Sequence, residues 1–286
     1  MREGIILKGV GGQYEVQVGD GVCLCTLRGR LRLEDIRVMV GDRVKVTVEG
    51  EQGVVEEILP RQSELIRPAI ANIDQVVVVF AAAKPKPSLI LLDRILVQAE
   101  LARLDALLVI NKSDLALEEA KRLQEMYGSI PYRTVIVSAK EGWGLDEVRQ
   151  ELTGKMSTLA GPSGVGKSSL LNALLPELEL EVQSVSRKVQ RGRHTTRTVT
   201  LLPLPDGGFV ADTPGFSVLN LGGDMEAELQ YAFPEMDRYR DSCQFRGCLH
   251  RREPNCAVKE AVEKKEILAH RYEHYLLLLQ EAAPSY

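Results

Sequence analysis

The sequence predicts a multidomain α/β protein with an N-terminal β-barrel, a central parallel α/β domain and a small C-terminal helical domain. The first part alternates short β-like runs with glycine turns, and the middle alternates apolar strands with helices. The last part places cysteines and a histidine in a polar segment. Because 286 residues suffice for two or three domains, we predict domains at 1–66, 67–218 and 219–286.

The N-terminal domain contains five β-like runs separated by glycine turns: Gly4–Lys8, Gln13–Val18, Val22–Leu27, Val44–Glu49 and Gly53–Ile58. This spacing is typical of a small closed barrel, and the OB fold is the first candidate. Such barrels often bind RNA or oligosaccharides, and a docking module without nucleic-acid contact is the alternative. Alternation places Cys23 and Cys25 on one strand face, as small core residues.

In the central domain, Gln75–Phe80 and Ala106–Ile110 are continuous apolar runs, as expected of parallel strands buried on both faces. Helical spacing between Ser88 and Leu104 completes a strand–helix–strand unit. Further strands are predicted at Val135–Val137 and Met156–Ala160, and the helices between them at Leu117–Tyr127 and Leu145–Leu152. We therefore expect a parallel sheet covered on both sides.

A phosphate-binding loop follows the last of these strands and precedes a helix that opens at Ser169. It consists of Gly161, Pro162, Ser163, Gly164, Val165, Gly166, Lys167 and Ser168. Backbone N–H groups of the loop and the helix N-terminus can hold phosphates, since both point positive charge at them. Lys167 is expected to reach the β- and γ-phosphates, and the Ser168 hydroxyl to bind Mg²⁺.

A second phosphate-side motif, Asp212-Thr213-Pro214-Gly215, follows a short strand. Asp212 is expected to hold Mg²⁺ through water, and the Gly215 amide to contact the γ-phosphate. Upstream lies a loop rich in arginine and lysine, residues 184–200, which we call the basic loop. One of its threonines can bind Mg²⁺ as well, but only while the γ-phosphate is present. We favour Thr196 for this role, with Thr195 as the alternative.

The base-binding motif is Asn111, Lys112, Ser113 and Asp114, assisted by Ser138, Ala139 and Lys140. The Asp114 carboxylate can accept from guanine N1–H and from the exocyclic amine, whereas adenine has no such pair of donors. Asn111 is expected to orient the loop, Lys112 to lie along the base, and the backbone at 138–140 to donate to guanine O6. These motifs favour GTP and GDP over ATP.

The base-binding motifs precede the phosphate-binding motifs, the reverse of the usual GTPase order, so the GTPase domain is predicted to be circularly permuted. Phe216 stands where many GTPases carry the glutamine that orients the attacking water, which predicts slow intrinsic hydrolysis. His194 in the basic loop is the candidate replacement. Alternatively, His194 only contacts a partner or solvent.

A metal-binding set lies near the C-terminus: Cys243, Cys248, His250 and Cys256. Three thiolates and an imidazole match a closed structural zinc site, and free core cysteines beside an unrelated histidine are the alternative. We expect zinc to stabilise a domain too small to fold alone. His270 and His274 are interpreted as surface or packing residues.

The formal net charge of −4 and the pI of about 5.8 argue against a general polyanion binder, so RNA contact would need local basic patches. One such patch lies between Ser184 and Thr200, and another between Arg28 and Lys45. The odd count of five cysteines argues against a disulfide framework. No secretory or membrane-spanning segment is evident, so we expect a cytoplasmic protein without membrane contact, and a monomer.

Together these motifs resemble the RsgA family of bacterial GTPases that depend on the small ribosomal subunit. The resemblance also includes Gly9–Tyr14, the linker Leu65–Asp74, Leu92-Asp93-Arg94 and Gly192–Thr196. It implies an OB-fold domain, a permuted GTPase domain and a zinc domain. It further implies late maturation of the small subunit, contact with 16S rRNA and GTPase stimulation by that subunit. A nucleotide-gated binding module and a GTPase acting on another RNA are the alternatives.

Overall fold

The computed structural model describes residues 1–33, 37–50, 52–66, 69–176, 199–212 and 225–283. Five strands form the N-terminal barrel, with a short helix, α1 (Gly29–Leu33), between the third and the fourth. These strands are β1 (Arg2–Val10), β2 (Gln13–Val18), β3 (Gly21–Leu27), β4 (Arg43–Glu49) and β5 (Gln52–Ile58). All five predicted runs are therefore confirmed as strands.

The barrel closes in the order β1-β2-β3-β5-β4, and only the β3–β5 pairing is parallel. This topology agrees with the predicted OB-like fold. The alternating inward residues form a dry core that includes Ile6, Val16, Cys25 and Val46. Cys25 is buried as predicted, whereas Cys23 is only partly buried.

A short hairpin that no sequence pattern indicated joins the barrel to the central domain. Its strands are β6 (Glu64–Ile66) and β7 (Ala69–Ala71). The buried Asn72 fastens this hairpin to the barrel, because its amide donates to the carbonyl of Gly41 at 2.9 Å.

The central domain is a six-stranded sheet of order β10-β9-β8-β11-β13-β12. Its strands are β8 (Gln75–Ala81), β9 (Asp105–Asn111), β10 (Arg133–Ile136), β11 (Met156–Ala160), β12 (Thr200–Pro203) and β13 (Phe209–Asp212). Its helices are α2 (Leu89–Leu101), α3 (Leu117–Gly128), α4 (Leu145–Leu152) and α5 (Lys167–Leu174).

The expectation of a wholly parallel sheet is wrong at one edge, where β12 runs antiparallel to β13. The two strands are joined by a tight turn in which Gly207 and Gly208 have φ values of +84° and +93°. A connection this short can only reverse the chain, whereas parallel neighbours need a long crossover. The other five strands are parallel, as predicted.

Both faces of the sheet are covered, and β8 shows why its sequence is apolar throughout. Val76, Val78 and Phe80 point to one face and pack against α2 and α3, while Val77 and Val79 point to the other and pack against α4 and α5. Alternate residues of β8 are buried in two different apolar cores, so every position of the strand must be apolar or be a polar residue with a hydrogen-bond partner.

The C-terminal domain is built from short helices around the predicted metal-binding residues. They are α6 (Glu226–Leu229), α7 (Asp237–Arg240), α8 (Ala257–Glu263) and α9 (Ala269–Ala282), with 3₁₀ turns at Gln230–Ala232 and Pro234–Met236. Their core also takes in Val97 of α2, so this domain packs on the central one. The domain boundaries at 66/67 and 218/219 stay predictions. None of the helices in the described ranges is long and apolar enough to cross a bilayer.

Candidate nucleotide site and metal centre

The phosphate-binding loop lies between β11 and α5, as the motif predicts. Two of its glycines are required by close contacts as well as by backbone angles. A Cβ on Gly161, at φ +135°, would lie 2.1 Å from the carbonyl oxygen of Val79, and one on Gly166, at φ +97°, would lie 2.4 Å from Nδ2 of Asn111. The loop can therefore approach β8 and the base-binding loop only with glycine at these positions.

Lys167 lies at the first position of α5 and folds back over the loop. Its Nζ donates to the carbonyl oxygens of Gly161 and Pro162, both at 2.8 Å. Burial lowers the pKa of this amine. An anion placed in the loop would raise that pKa again, because a negative charge nearby stabilises a buried ammonium.

Asn111 joins the base-binding side of the site to the phosphate-binding side. The residue is buried at the end of β9, its Nδ2 donates to the carbonyl of Val165 at 3.0 Å, and its Oδ1 accepts from the Ala139 amide at 3.0 Å. One side chain thus connects three loops that are far apart in sequence. These contacts are those expected of a residue that orients the base-binding loop, and they also reach the phosphate-binding side.

The side chain of Ser138, for which only a backbone role was predicted, holds Asp114. The buried Ser138 hydroxyl donates to Asp114 Oδ1 at 2.7 Å and accepts from the Glu141 amide at 3.2 Å. The serine thereby orients the carboxylate. Ser113 is buried in the same loop, and its amide donates to Val137 at 3.1 Å.

Lys112 crosses between loops instead of extending into solvent. The residue has φ +61°, and its Nζ donates to the carbonyl of Gly164 at 2.6 Å and to the carbonyl of Lys84. Lys84 belongs to the loop between β8 and α2, which had no predicted role at the site. Lys112 thereby ties the base-binding loop to the phosphate-binding loop and to the loop before α2.

We expect Gly166→Ala to weaken nucleotide binding by at least about tenfold, because the new Cβ would displace the Asn111 amide and strain the backbone. The measurement is a fluorescence titration with a labelled GDP. Gly128→Ala is the matched control, since nothing lies within 4 Å of a Cβ there. Unchanged affinity in Gly166→Ala would contradict the bridging role of Asn111.

Several predicted residues cannot be placed against this geometry. His194, Thr195, Thr196, Gly215 and Phe216 lie outside the described residues. The backbone of Asp212 ends β13, which is adjacent to β11 in the sheet. Asp212 and the phosphate-binding loop therefore follow neighbouring parallel strands at the same edge of the sheet.

The four predicted metal ligands come together in the C-terminal domain, where their ligand atoms all lie within 4.8 Å of one another. Nδ1 of His250 is 3.3 Å from Sγ of Cys256 and 3.5 Å from Sγ of Cys243, and those two sulfurs are 3.8 Å apart. Tetrahedral zinc with Zn–S bonds of about 2.3 Å separates its sulfurs by about 3.8 Å. The set therefore fits one zinc ion.

The protonation of this centre also suits a cation. Burial raises the pKa of Cys248 to about 12 and lowers that of His250. Without a cation the imidazole is therefore neutral, as a ligand must be, and the thiol is protonated. Zinc would displace the thiol protons, so its binding should release protons.

Gln230 orients the histidine ligand, and nothing in the sequence spacing indicated it. Its buried Oε1 lies 3.2 Å from Nε2 of His250, which fixes the proton on that nitrogen and directs Nδ1 at the sulfurs. Glu253 orders the intervening loop by accepting from the backbone amides of Leu249, Arg251 and Arg252 at 2.7–2.9 Å.

Comparison with known proteins agrees with this architecture. Family models match residues 3–55, described as the RsgA N-terminal domain, and residues 58–222, described as the RsgA GTPase. The chain belongs to the RsgA GTPase family. Its base-binding and phosphate-binding motifs are accordingly those of a GTPase, which uses GTP, GDP and Mg²⁺.

Relatives match the RsgA-family chain over nearly its whole length. The small ribosomal subunit biogenesis GTPase RsgA of Moorella thermoacetica is 50% identical, with 98% of this chain and 97% of the relative covered. The protein of the same name from Carboxydothermus hydrogenoformans is 48% identical, with the same coverage.

Two solved structures share the fold of this RsgA-family chain. YjeQ from Thermotoga maritima has a TM-score of 0.86 at 40% identity and covers 98% of both chains. YloQ, described as a circularly permuted GTPase, has a TM-score of 0.84 at 39% identity and covers 100% of this chain and 97% of its own. The predicted permutation is thereby confirmed.

Proposed function

We propose that the chain is a Mg²⁺-dependent GTPase that acts in the biogenesis of the small ribosomal subunit. The observation that carries the nucleotide assignment is the Asn111 side chain, which joins the phosphate-binding loop at Val165 to the base-side loop at Ala139. Because one side chain holds both loops, the site suits a single ligand that has a base and phosphates. The subunit assignment is supported by the names of the relatives, which are similar over almost the full chain.

In this proposal the carboxylate of Asp114 accepts hydrogen bonds from guanine, and Lys112 lies along the base. Lys140 contributes its backbone N–H group. The amide of Ala139 donates to Asn111 in the structure, so its predicted contact with guanine O6 requires sharing or exchange of that bond. Lys167 leaves the carbonyls of the loop and binds the β- and γ-phosphates. Ser168, Asp212 and Thr196 would hold Mg²⁺, which would supply positive charge to neutralise the phosphates.

Hydrolysis is proposed to be slow in the free protein. Phe216 cannot orient water, and His194 is the proposed replacement. A partner that brings His194 to the γ-phosphate would then raise the rate, so stimulation by the subunit is part of the proposal.

We infer that 16S rRNA is the component of the subunit that the chain contacts. The barrel contributes less free positive charge than its sequence suggests, because Arg28 pairs with Glu56, and Lys45 pairs with Glu57 at 2.8 Å. Few phosphate contacts and a modest dependence of affinity on salt should follow. We also propose that the chain acts in the cytoplasm, as a monomer.

Steady-state GTP hydrolysis tests this function. We expect slow turnover alone and a stimulation of at least about tenfold by purified small ribosomal subunits, because the subunit would bring His194 to the γ-phosphate. Large subunits and free transfer RNA are the controls. Equal stimulation by the controls would point to another RNA, and no stimulation despite intact GTP binding would point to a nucleotide-gated binding module.

A further inference from the structure

Asp93 of α2 is a fully buried carboxylate that is bonded to two other helices. Tyr127 of α3 donates its hydroxyl to Oδ1 at 2.8 Å, and Nη1 of Arg271 on α9 lies 2.9 Å from the same oxygen. Nδ1 of His274, also on α9, bonds to Oδ2. Asp93 therefore joins two helices of the central domain to the last helix of the C-terminal domain. His274, predicted to be a surface or packing residue, is largely buried and bonds to this carboxylate.

The charge of Asp93 makes these partners obligatory. Burial alone would raise its pKa, but the hydrogen bond from His274 and the charge of Arg271 together hold it below its usual range, so the carboxylate is ionised at neutral pH. Arg271 is itself fully buried and also pairs with Glu235, at 2.6 Å from Nε and 3.0 Å from Nη2. Removing one partner of a buried ion pair leaves an uncompensated charge, so partial undocking of α9 is unfavourable.

The same helix α9 also contacts the loop that carries the metal ligands. The hydroxyl of Tyr272 donates to the carbonyl of the ligand His250 at 2.6 Å, and that of Tyr275 donates to the carbonyl of Leu249 at 2.7 Å. Any change in the ligand loop on loss of zinc must therefore alter contacts of the helix that carries Arg271 and His274.

The two central helices lead to the guanine side of the nucleotide site. Helix α3 begins at Leu117, three positions after Asp114, and carries Tyr127 at its far end. Helix α2 follows the loop in which the carbonyl of Lys84 accepts from Nζ of Lys112. Hydrogen bonds and an ion pair thus link the zinc-ligand loop to α9 and α9 to Asp93, and helices α2 and α3 lead along the chain from Asp93 to the two sides of the base-binding loop.

We propose that Asp93 is a positioning residue that couples zinc occupancy to guanine-nucleotide affinity, through α9 on one side and through α2 and α3 on the other. The inference rests on the proposed placement of the base at Asp114. Coupling between two binding sites is reciprocal, so bound nucleotide must also retain zinc more tightly.

The experiment uses the full-length, zinc-loaded protein and fluorescent mant-GDP at constant Mg²⁺. Affinity is measured before and after zinc removal with the zinc-selective chelator TPEN, and we expect a loss of about fivefold or more. Tyr127→Phe removes one hydroxyl from Asp93 and leaves the metal ligands and Arg271 in place. The zinc-loaded variant should bind mant-GDP like the zinc-free parent, and zinc removal should change its affinity less than about twofold.

Tyr132→Phe is the matched control, because it removes another buried tyrosyl hydroxyl that is not bonded to Asp93. This control should keep the full zinc effect. In the reciprocal measurement, saturating GDP should slow zinc transfer to the chelator in the parent and in Tyr132→Phe, but not in Tyr127→Phe.

Zinc-free protein that binds mant-GDP as tightly as zinc-loaded protein would overturn the coupling. An equal loss in the parent and in Tyr127→Phe would also overturn it, because zinc would then act without Asp93. Failure of the proposed base site gives a separate result, since Asp114→Asn would then bind mant-GDP like the parent.

Discussion

Asp114→Asn is expected to lower GDP affinity by about 10²–10⁴-fold and to favour xanthosine diphosphate. In the proposed site the carboxylate accepts two guanine N–H groups, and hydrogen bonds to a charged group contribute about 1.5–3 kcal/mol each. An asparagine amide faces the guanine amine with a donor, whereas xanthine offers a carbonyl at that position. Competition titrations with GDP and xanthosine diphosphate measure both effects.

The geometry around Asp114 makes this exchange a clean test. Ser138 can still donate to an amide oxygen as it does to Oδ1, so the loop should keep its conformation. Asp146→Asn is the matched control, because Asp146 is 92% exposed and pairs with Arg149 of its own helix. If Asp114→Asn retained parental discrimination between the two nucleotides, guanine would have to bind elsewhere.

The phosphate and base motifs could be predicted from sequence because their chemistry depends on local spacing. A glycine-rich turn between a buried strand and a helix already determines where the backbone N–H groups point, and parallel strands bring their carboxyl ends to one edge. The structure accordingly places Asn111 and Gly166 in contact. The OB-like barrel was predictable for a similar reason, since period-two burial and glycine turns are both local.

The side-chain bridges between loops were not predictable in this way. Lys112 reaches Lys84 and Ser138 reaches Asp114 across 28 and 24 positions, and no local periodicity relates these pairs. Sequence spacing also did not relate Gln230 to His250, which lie in different parts of the C-terminal domain. Nor did it relate Asp93 of the central domain to Arg271 of the C-terminal domain. Only tertiary packing determines which polar groups share a buried space.

The edge strand β12 was missed for a different reason. Thr200–Pro203 is four residues long and follows the basic loop, so its apolar content is too small to indicate a strand. Its partner β13 was identified because it leads into Asp212. The core nevertheless needs this edge, since Leu201 of β12 and Leu7 of β1 belong to one apolar cluster that joins the sheet to the barrel.

Cys256→Ser is expected to abolish zinc binding and to unfold the C-terminal domain. Cys256 is 4% exposed at the start of α8, and its sulfur lies 3.3 Å from the His250 nitrogen and 3.8 Å from the Cys243 sulfur. Structural zinc contributes about 10–16 kcal/mol in zinc-finger peptides, which equals or exceeds the stability of a typical domain. Zinc stoichiometry by mass spectrometry and thermal unfolding measure the two effects.

Cys23→Ser is the control, because this partly buried barrel cysteine lies outside the metal centre and its variant should keep one zinc per chain.

Acid should reproduce the effect of Cys256→Ser. Burial raises the pKa of both Cys248 and Cys256, so protons compete with zinc for these sulfurs and affinity must fall as the pH falls. Zinc release at acidic pH should therefore coincide with unfolding of the C-terminal domain while the barrel remains folded. A Cys256→Ser protein with full zinc content would instead show that the other three groups suffice, and the closed tetrahedral centre would be wrong.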